Sequence, residues 1–148
     1  MRKTFYLFII SLLSITMQAQ TTMITPPYLQ KGDTVAILAT ARKHIVKSMQ
    51  PTIDLLESWG LNVVIGKSIG LEENQLAGSD EQRAADLQEQ LDNPNIKAIW
   101  CARGGYGTVR VVDLIDFTLF NKSPKWLVGF SDVTVLHNHL NTMGYKSI

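Results

Sequence analysis

The chain has 148 residues, 45% of them hydrophobic and 18% charged, enough apolar material for one globular domain with a real core and too much for a disordered tail. With 14 basic against 13 acidic residues the net charge is +1, and these charges are spread along the chain, so no basic footprint exists for a phosphate backbone and nucleic acid is not expected as a partner. One cysteine, Cys101, excludes an intrachain disulfide.

Arg2 and Lys3 precede an apolar run from Phe5 to Ile15 and then Met17-Gln18-Ala19-Gln20, the three-part pattern of a secretory signal peptide. The run is interrupted by Ser11 and Ser14 and falls well short of the ~20 apolar residues that span hydrocarbon. Residues 1–19 therefore read as a cleaved leader and residues 20–148 as the mature domain, periplasmic or otherwise exported, with no stable membrane anchor after cleavage.

Beyond the turn at Lys31-Gly32-Asp33, Thr34 to Ala39 is a continuous apolar run suited to a strand covered on both faces. Ile45, Met49, Ile53 and Leu56 then share a helical face, with Ser48 as cap, Pro51 in the first turn and Gly60 as the stop. Leu61 to Ile65 reads as strand two, and a polar connection from Gly66 to Gly78 is long enough to lie over a site. Ser79-Asp80-Glu81-Gln82 has the form of a capping box, opening a helix that runs to about Asp92, where Asn93-Pro94 stops it. Ile96 to Ala102 is strand three, Gly107 to Ile115 a short helix, and Trp126 to Phe130 strand four. The last helix starts at Asp132, carries Val133, Leu136, Leu140 and Met143 on one face, and ends at Gly144. Strands alternating with helices at this spacing imply an α/β fold with a parallel sheet, whose ligands bind beyond the carboxyl ends of the strands.

Two loops are expected on that edge, Arg103-Gly104-Gly105-Tyr106-Gly107 and Gly129-Phe130-Ser131-Asp132. A serine between a buried strand and a helix N-terminus has the geometry of a nucleophile elbow, where the following amide faces a developing oxyanion. The usual elbow has glycine two residues after the serine, and here Val133 stands there. The competing reading is that Ser131 or Asp132 caps the last helix. Gly104, Gly105 and Gly107 suit either a tight turn or a phosphate cradle. Arg103 is placed to pair with a substrate carboxylate or to clamp its loop, and Tyr106 to touch ligand. Cys101 reads as a buried strand residue, and Trp59, Trp100 and Trp126 as core. His137 and His139 lie too far along the last helix to serve as a base for Ser131, and they read as solvent-facing or interface residues. His44 stands in the loop after strand one, on the site edge. No histidine and carboxylate spacing suits a metal, and no cofactor is expected.

Three blocks carry a resemblance: Leu76-Ala77-Gly78-Ser79-Asp80-Glu81-Gln82-Arg83-Ala84-Ala85-Asp86-Leu87, then Ala98 to Gly107, then Pro124-Lys125 and Val128-Gly129-Phe130-Ser131-Asp132-Val133-Thr134. In order and spacing they resemble the LD-carboxypeptidases (muramoyltetrapeptide carboxypeptidases), a family whose fold the microcin-resistance peptidases share. The resemblance implies a Rossmann- or flavodoxin-like N-terminal domain of a two-domain serine peptidase. It makes Ser131 the nucleophile of a Ser-Glu-His triad and gives the oxyanion hole to backbone amides of Asp132 and of Gly104 or Gly105. It places the Glu and His in a C-terminal domain absent from these residues, so the chain is read as truncated and inactive alone. The implied reaction is removal of the terminal D-alanine of a murein tetrapeptide, in peptidoglycan recycling or remodelling. The murein peptide is the expected partner, and a homodimer is left open. Family members often have Ala-Pro-Ser after strand one where this chain has Ala39-Thr40-Ala41. A noncatalytic module that holds a nucleotide or murein peptide at the sheet edge is the alternative.

Overall fold

A computed structural model describes residues 22–148; the leader expected over residues 1–19 lies outside them. Four strands, β1 (Thr34–Leu38), β2 (Asn62–Ile65), β3 (Ile96–Cys101) and β4 (Trp126–Val128), form one sheet in the order β2-β1-β3-β4, with every pairing parallel. The α/β fold expected from the alternation of elements is the fold observed. Four helices accompany it: α1 (Val46–Ser58), α2 (Asp80–Asp92), α3 (Thr118–Lys122) and α4 (Thr134–Thr142).

The central strands are apolar at consecutive positions because both faces are covered. Val35 and Ile37 of β1 point to one side, where they pack with Met49 and Leu56 of α1 and with Ala98 and Trp126. Ala36 and Leu38 point to the other, against Leu87 and Leu91 of α2, Phe120 of α3, and Leu136 and Leu140 of α4. The parallel arrangement brings the loops after β1, β3 and β4 to one edge of the sheet.

The capping box forms as expected: the Gln82 amide donates to Ser79 Oγ at 3.2 Å, and the Ser79 amide donates to Gln82 Oε1 at 2.9 Å. Other local expectations need correction. Helix α1 begins at Val46 with Ile45 as its cap residue, because the Ser48 hydroxyl turns back onto the Ile45 carbonyl (2.9 Å) and does not cap. Ile45 is consequently 60% exposed instead of lying on the buried face. Trp59 is likewise exposed, whereas Trp126 is buried and donates its indole N–H to the Pro27 carbonyl at 2.8 Å. The short helix expected from Gly107 to Ile115 is a pair of 3₁₀ turns, Thr108–Arg110 and Val112–Leu114, closed by bonds such as Arg110 N–H to Gly107 O (3.0 Å). Its run of β-branched residues crowds a regular α-helix. Helix α3 was not expected; Asp116 Oδ1 starts it by accepting the Thr118 amide at 2.8 Å.

After α4, Ile148 lies beside β4: its amide donates to the Leu127 carbonyl (2.9 Å), and its carbonyl accepts from the Gly129 amide (2.8 Å). That alternation is the hydrogen-bond pattern of a parallel neighbour.

Candidate active site

Strand β4 ends at Val128, and the chain runs through Gly129 and an extended Phe130 (φ −150°, ψ 179°) into Ser131, whose φ is +62°. A non-glycine residue in this left-handed region costs roughly 1–2 kcal/mol and persists only where its surroundings enforce it. Gly129 supplies part of that enforcement. A Cβ there would meet Val133 Cγ1 at 2.8 Å and Cys101 Cβ at 3.1 Å, so the strand end can pack tightly only with glycine. Ser131 itself is exposed, and among the described residues its hydroxyl makes no hydrogen bond.

The glycine loop after β3 lies against this turn. A Cβ on Gly104 would stand 3.1 Å from the Phe130 carbonyl oxygen, 3.2 Å from Ser131 Cβ and 3.3 Å from the Asp132 nitrogen. Gly104 thus lies close against the turn Phe130–Asp132, where a larger residue would crowd it. Gly105 and Gly107 both adopt positive φ (+120° and +138°), which is how the loop turns back so sharply. Among the described residues the amides of Gly104, Gly105 and Asp132 have no hydrogen-bond partner in the loops; Gly104 and Asp132 lie beside Ser131, whereas Gly105 packs against the Arg42 side chain.

Neither Ser131 nor Asp132 caps the last helix, contrary to the capping reading. Residues Ser131–Val133 form a 3₁₀ turn, α4 starts only at Thr134, and no side chain caps it. Asp132 instead reaches across to the other loop, where Oδ2 accepts the Thr108 amide at 2.9 Å. The Thr108 and Thr40 hydroxyls are 2.9 Å apart, extending the tie to the loop after β1.

Beneath the loops sits Arg83, fully buried. Nη1 donates to the carbonyls of Thr40 (2.6 Å) and Gly107 (3.0 Å), and Nη2 pairs with Asp80. One guanidinium from α2 thereby fastens two loops of the site edge. A second buried group, Asp86, accepts the Ser68 amide (2.7 Å) and hydroxyl (2.5 Å), while Ser68 Oγ accepts the Ala39 amide at 2.8 Å. Sequence reasoning did not give these side chains a role. The available signal was a charged residue at Arg83 and at Asp86 on the apolar face shared by Ala84, Leu87 and Leu91, since buried charges of this kind need partners.

His137, expected to face solvent or an interface, is half-buried and hydrogen-bonded within the domain. Nε2 lies 2.9 Å from the Gly129 carbonyl and Nδ1 lies 2.7 Å from Ser147 Oγ, so it braces the strand end that carries Ser131. His139 stacks on Phe117 with ring centroids 4.7 Å apart. Cys101 is buried as expected, and burial pushes its thiol up to about 12, leaving no thiolate at neutral pH. Tyr106 is 47% exposed at the tip of the glycine loop.

Arg103 is exposed and forms no ion pair among the described residues. It borders a cavity of about 320 Å³ together with Lys43, His44, Ser48, Gly70 and Glu72. The connection from Gly66 to Gly78 forms one wall of it, held by the Gly70 amide on the His44 carbonyl (2.8 Å) and the Lys43 amide on the Gln75 carbonyl (3.0 Å). Partial burial, with the Arg103 charge adding to it, holds the His44 pKa below the usual histidine value.

Residues 35–148 match the LD-carboxypeptidase N-terminal domain. The chain is 43% identical over 119 residues to a probable murein peptide carboxypeptidase of Bacillus subtilis, a match covering 79% of this chain and 37% of the relative. It is 36% identical over 115 residues to the murein tetrapeptide carboxypeptidase of Pseudomonas aeruginosa, covering 77% and 38%. Among solved structures, the muramoyltetrapeptide carboxypeptidase from Oxalobacter formigenes superposes with a TM-score of 0.67 at 32% identity, covering 77% of this chain and 38% of that one. A microcin C7 self immunity protein shares the fold with a TM-score of 0.74 at 24% identity, covering 82% and 37%. The chain spans a little over a third of the length of the curated relatives just described. A parallel sheet that presses Gly104 against Ser131, together with this match over residues 35–148, places the chain in the LD-carboxypeptidase family, as its N-terminal domain.

Proposed function

We propose that this chain carries the nucleophile of a serine carboxypeptidase that removes the terminal D-alanine from murein tetrapeptides. The observation that supports it most is the contact of Gly104 with Ser131 and the Asp132 nitrogen, around a serine held at φ +62° with an exposed side chain.

In this reading Ser131 Oγ attacks the amide carbonyl carbon before the terminal residue while a base takes its proton. The carbonyl oxygen becomes an oxyanion and is assigned to the amides of Asp132 and of Gly104 or Gly105, a reading supported by their lack of any other partner in the loops among the described residues. The C–N bond then breaks, the amine leaves as D-alanine with the proton returned by the base, and the acyl group stays on Ser131. Water, activated by the same base, hydrolyses that ester and restores the hydroxyl. No histidine among the described residues is hydrogen-bonded to Ser131. His137 is engaged with Gly129 and Ser147, and His139 with Phe117. The base and its carboxylate partner are therefore assigned to a further segment, for which the length of the relatives leaves room. The substrate peptide lies along the sheet edge, where Arg103 and Tyr106 are exposed.

Export belongs to the same proposal, because a murein peptide substrate and a leader at residues 1–19 agree on an extracytoplasmic site of action; the N-terminal residue of the mature protein checks it. The reaction itself is tested with the protein in the longest form that its gene encodes. Intact mass after treatment with a fluorophosphonate should show one adduct on Ser131, and D-alanine should be released from murein tetrapeptide. Absence of both would remove the nucleophile assignment.

A further inference from the structure

We propose that the cavity beside the glycine loop holds the free carboxylate at the end of the substrate peptide, with Arg103 as its cationic anchor; this rests on the reading of Ser131 as nucleophile. An enzyme that removes only a terminal residue must recognise the chain end, and that end is a carboxylate one residue from the scissile amide. Consecutive residues are ~3.8 Å apart along a chain, so the recognising group must stand about one residue's length from the nucleophile. Arg103 is the candidate on this edge, since it directly precedes Gly104, which lies so close to Ser131 that a Cβ there would stand 3.2 Å from the serine Cβ, and since it borders the cavity itself.

The charges around the cavity favour a single carboxylate. Lys43 is ion-paired with Glu72, so those two walls are neutral together. Partial burial, with the Arg103 charge adding to it, holds the His44 pKa below the ordinary value, which disfavours a second cation beside Arg103. That leaves Arg103 as the unpaired cation among the described lining residues, and its planar fork matches a carboxylate through two parallel hydrogen bonds. A phosphate dianion would meet only half the charge it needs. The cavity, at about 320 Å³, has room for a small terminal residue, and its walls come from separate segments: the loop after β1, the start of α1, and the connection that carries Gly70 and Glu72.

The test compares a murein tetrapeptide bearing a free terminal carboxylate with the same peptide as its terminal amide, using the longest gene-encoded form. Wild type should prefer the acid. Arg103→Gln should lower kcat/KM for the acid by about 10- to 100-fold, the range for a lost charge-assisted pair, and leave the amide unchanged, with Arg103→Lys in between. Melting should be unaltered, since Arg103 is exposed. Fluorophosphonate labelling of Ser131, measured on the same samples, keeps the two readings apart. If Ser131 is labelled normally but wild type does not distinguish acid from amide, or Arg103→Gln slows both equally, the carboxylate pocket is wrong and the nucleophile stands. If Ser131 is not labelled, the pocket is decided by binding alone: peptide acid, and not its amide, should shift the His44 ring resonances of the longest gene-encoded form, and Arg103→Gln should abolish the shift. Equal shifts with acid and amide, or none with either, would overturn it.

Discussion

Asp132 Oδ2 accepts the backbone amide of Thr108 at 2.9 Å, tying the turn that carries Ser131 to the loop that follows β3. Thr108 is fully buried, so Asp132→Ala would leave its amide without a partner, at a cost of about 1–3 kcal/mol. Asp132→Asn keeps an acceptor in the same place and should recover most of that loss. Chemical denaturation of the three proteins measures the cost. In parallel, the rate of fluorophosphonate labelling should fall further in the alanine variant than in the asparagine one, because only the former releases the two loops from each other.

The backbone of Ser131 supplies a second expectation. Its φ of +62° suits glycine better than any residue with a Cβ, and its hydroxyl caps no helix. Ser131→Ala should therefore melt close to wild type, while Ser131→Gly should be more stable than Ser131→Ala by up to about 1 kcal/mol, the relieved strain being partly offset by the freedom glycine adds to the unfolded chain. Neither variant should form an acyl-enzyme. A Ser131→Gly protein less stable than Ser131→Ala would show that the turn is not strained.

Lys125 is 3% exposed and donates from Nζ to the carbonyls of Gln90 (3.0 Å) and Asn93 (2.7 Å). Burial pulls its pKa down to about 8, with Lys97 adding to the shift and Asp92 opposing it. Between pH 8 and the ordinary value of 10.5 the unfolded chain holds a proton that the folded chain has released. Stability from this residue therefore rises with pH across that window and is level below it. Lys125→Met should lower stability throughout by stranding two carbonyls, and it should also flatten the rise. The difference between the two melting curves, taken from pH 7.5 to 10.5, reads the effect; parallel curves would show that the amine is not shifted.

Residues 20–148 alone should release almost no D-alanine, because no described residue offers Ser131 a base and a serine hydroxyl without one is a weak nucleophile. The longest gene-encoded form should turn over without added metal and should resist chelators. Equal rates for the two forms would place a base within these residues and discard the divided triad.

The elements of this fold were legible because their signals are local. A continuous apolar run marks β1, the pair Ser79 and Gln82 mark the start of α2, and glycine or proline follows α1, β2, α2, β4 and α4. Reading failed where local preference was overruled. Ser48 looks like a cap but bonds back to Ile45, and the β-branched run after Gly107 tightens into 3₁₀ turns.

By itself, the sequence determined the order of the four strands, the family, and where the Ser131 turn and the glycine loop stand along the chain, since each depends on residues adjacent in the chain. Only the tertiary structure decided what surrounds them. Asp132 bonds to Thr108, which is 24 positions away, and Arg83 fastens Thr40 to Gly107 across 43 and 24 positions. Whether a carboxylate caps its own helix or crosses to another loop depends on which amides the parallel sheet brings within about 3 Å, and that distance has no counterpart along the chain.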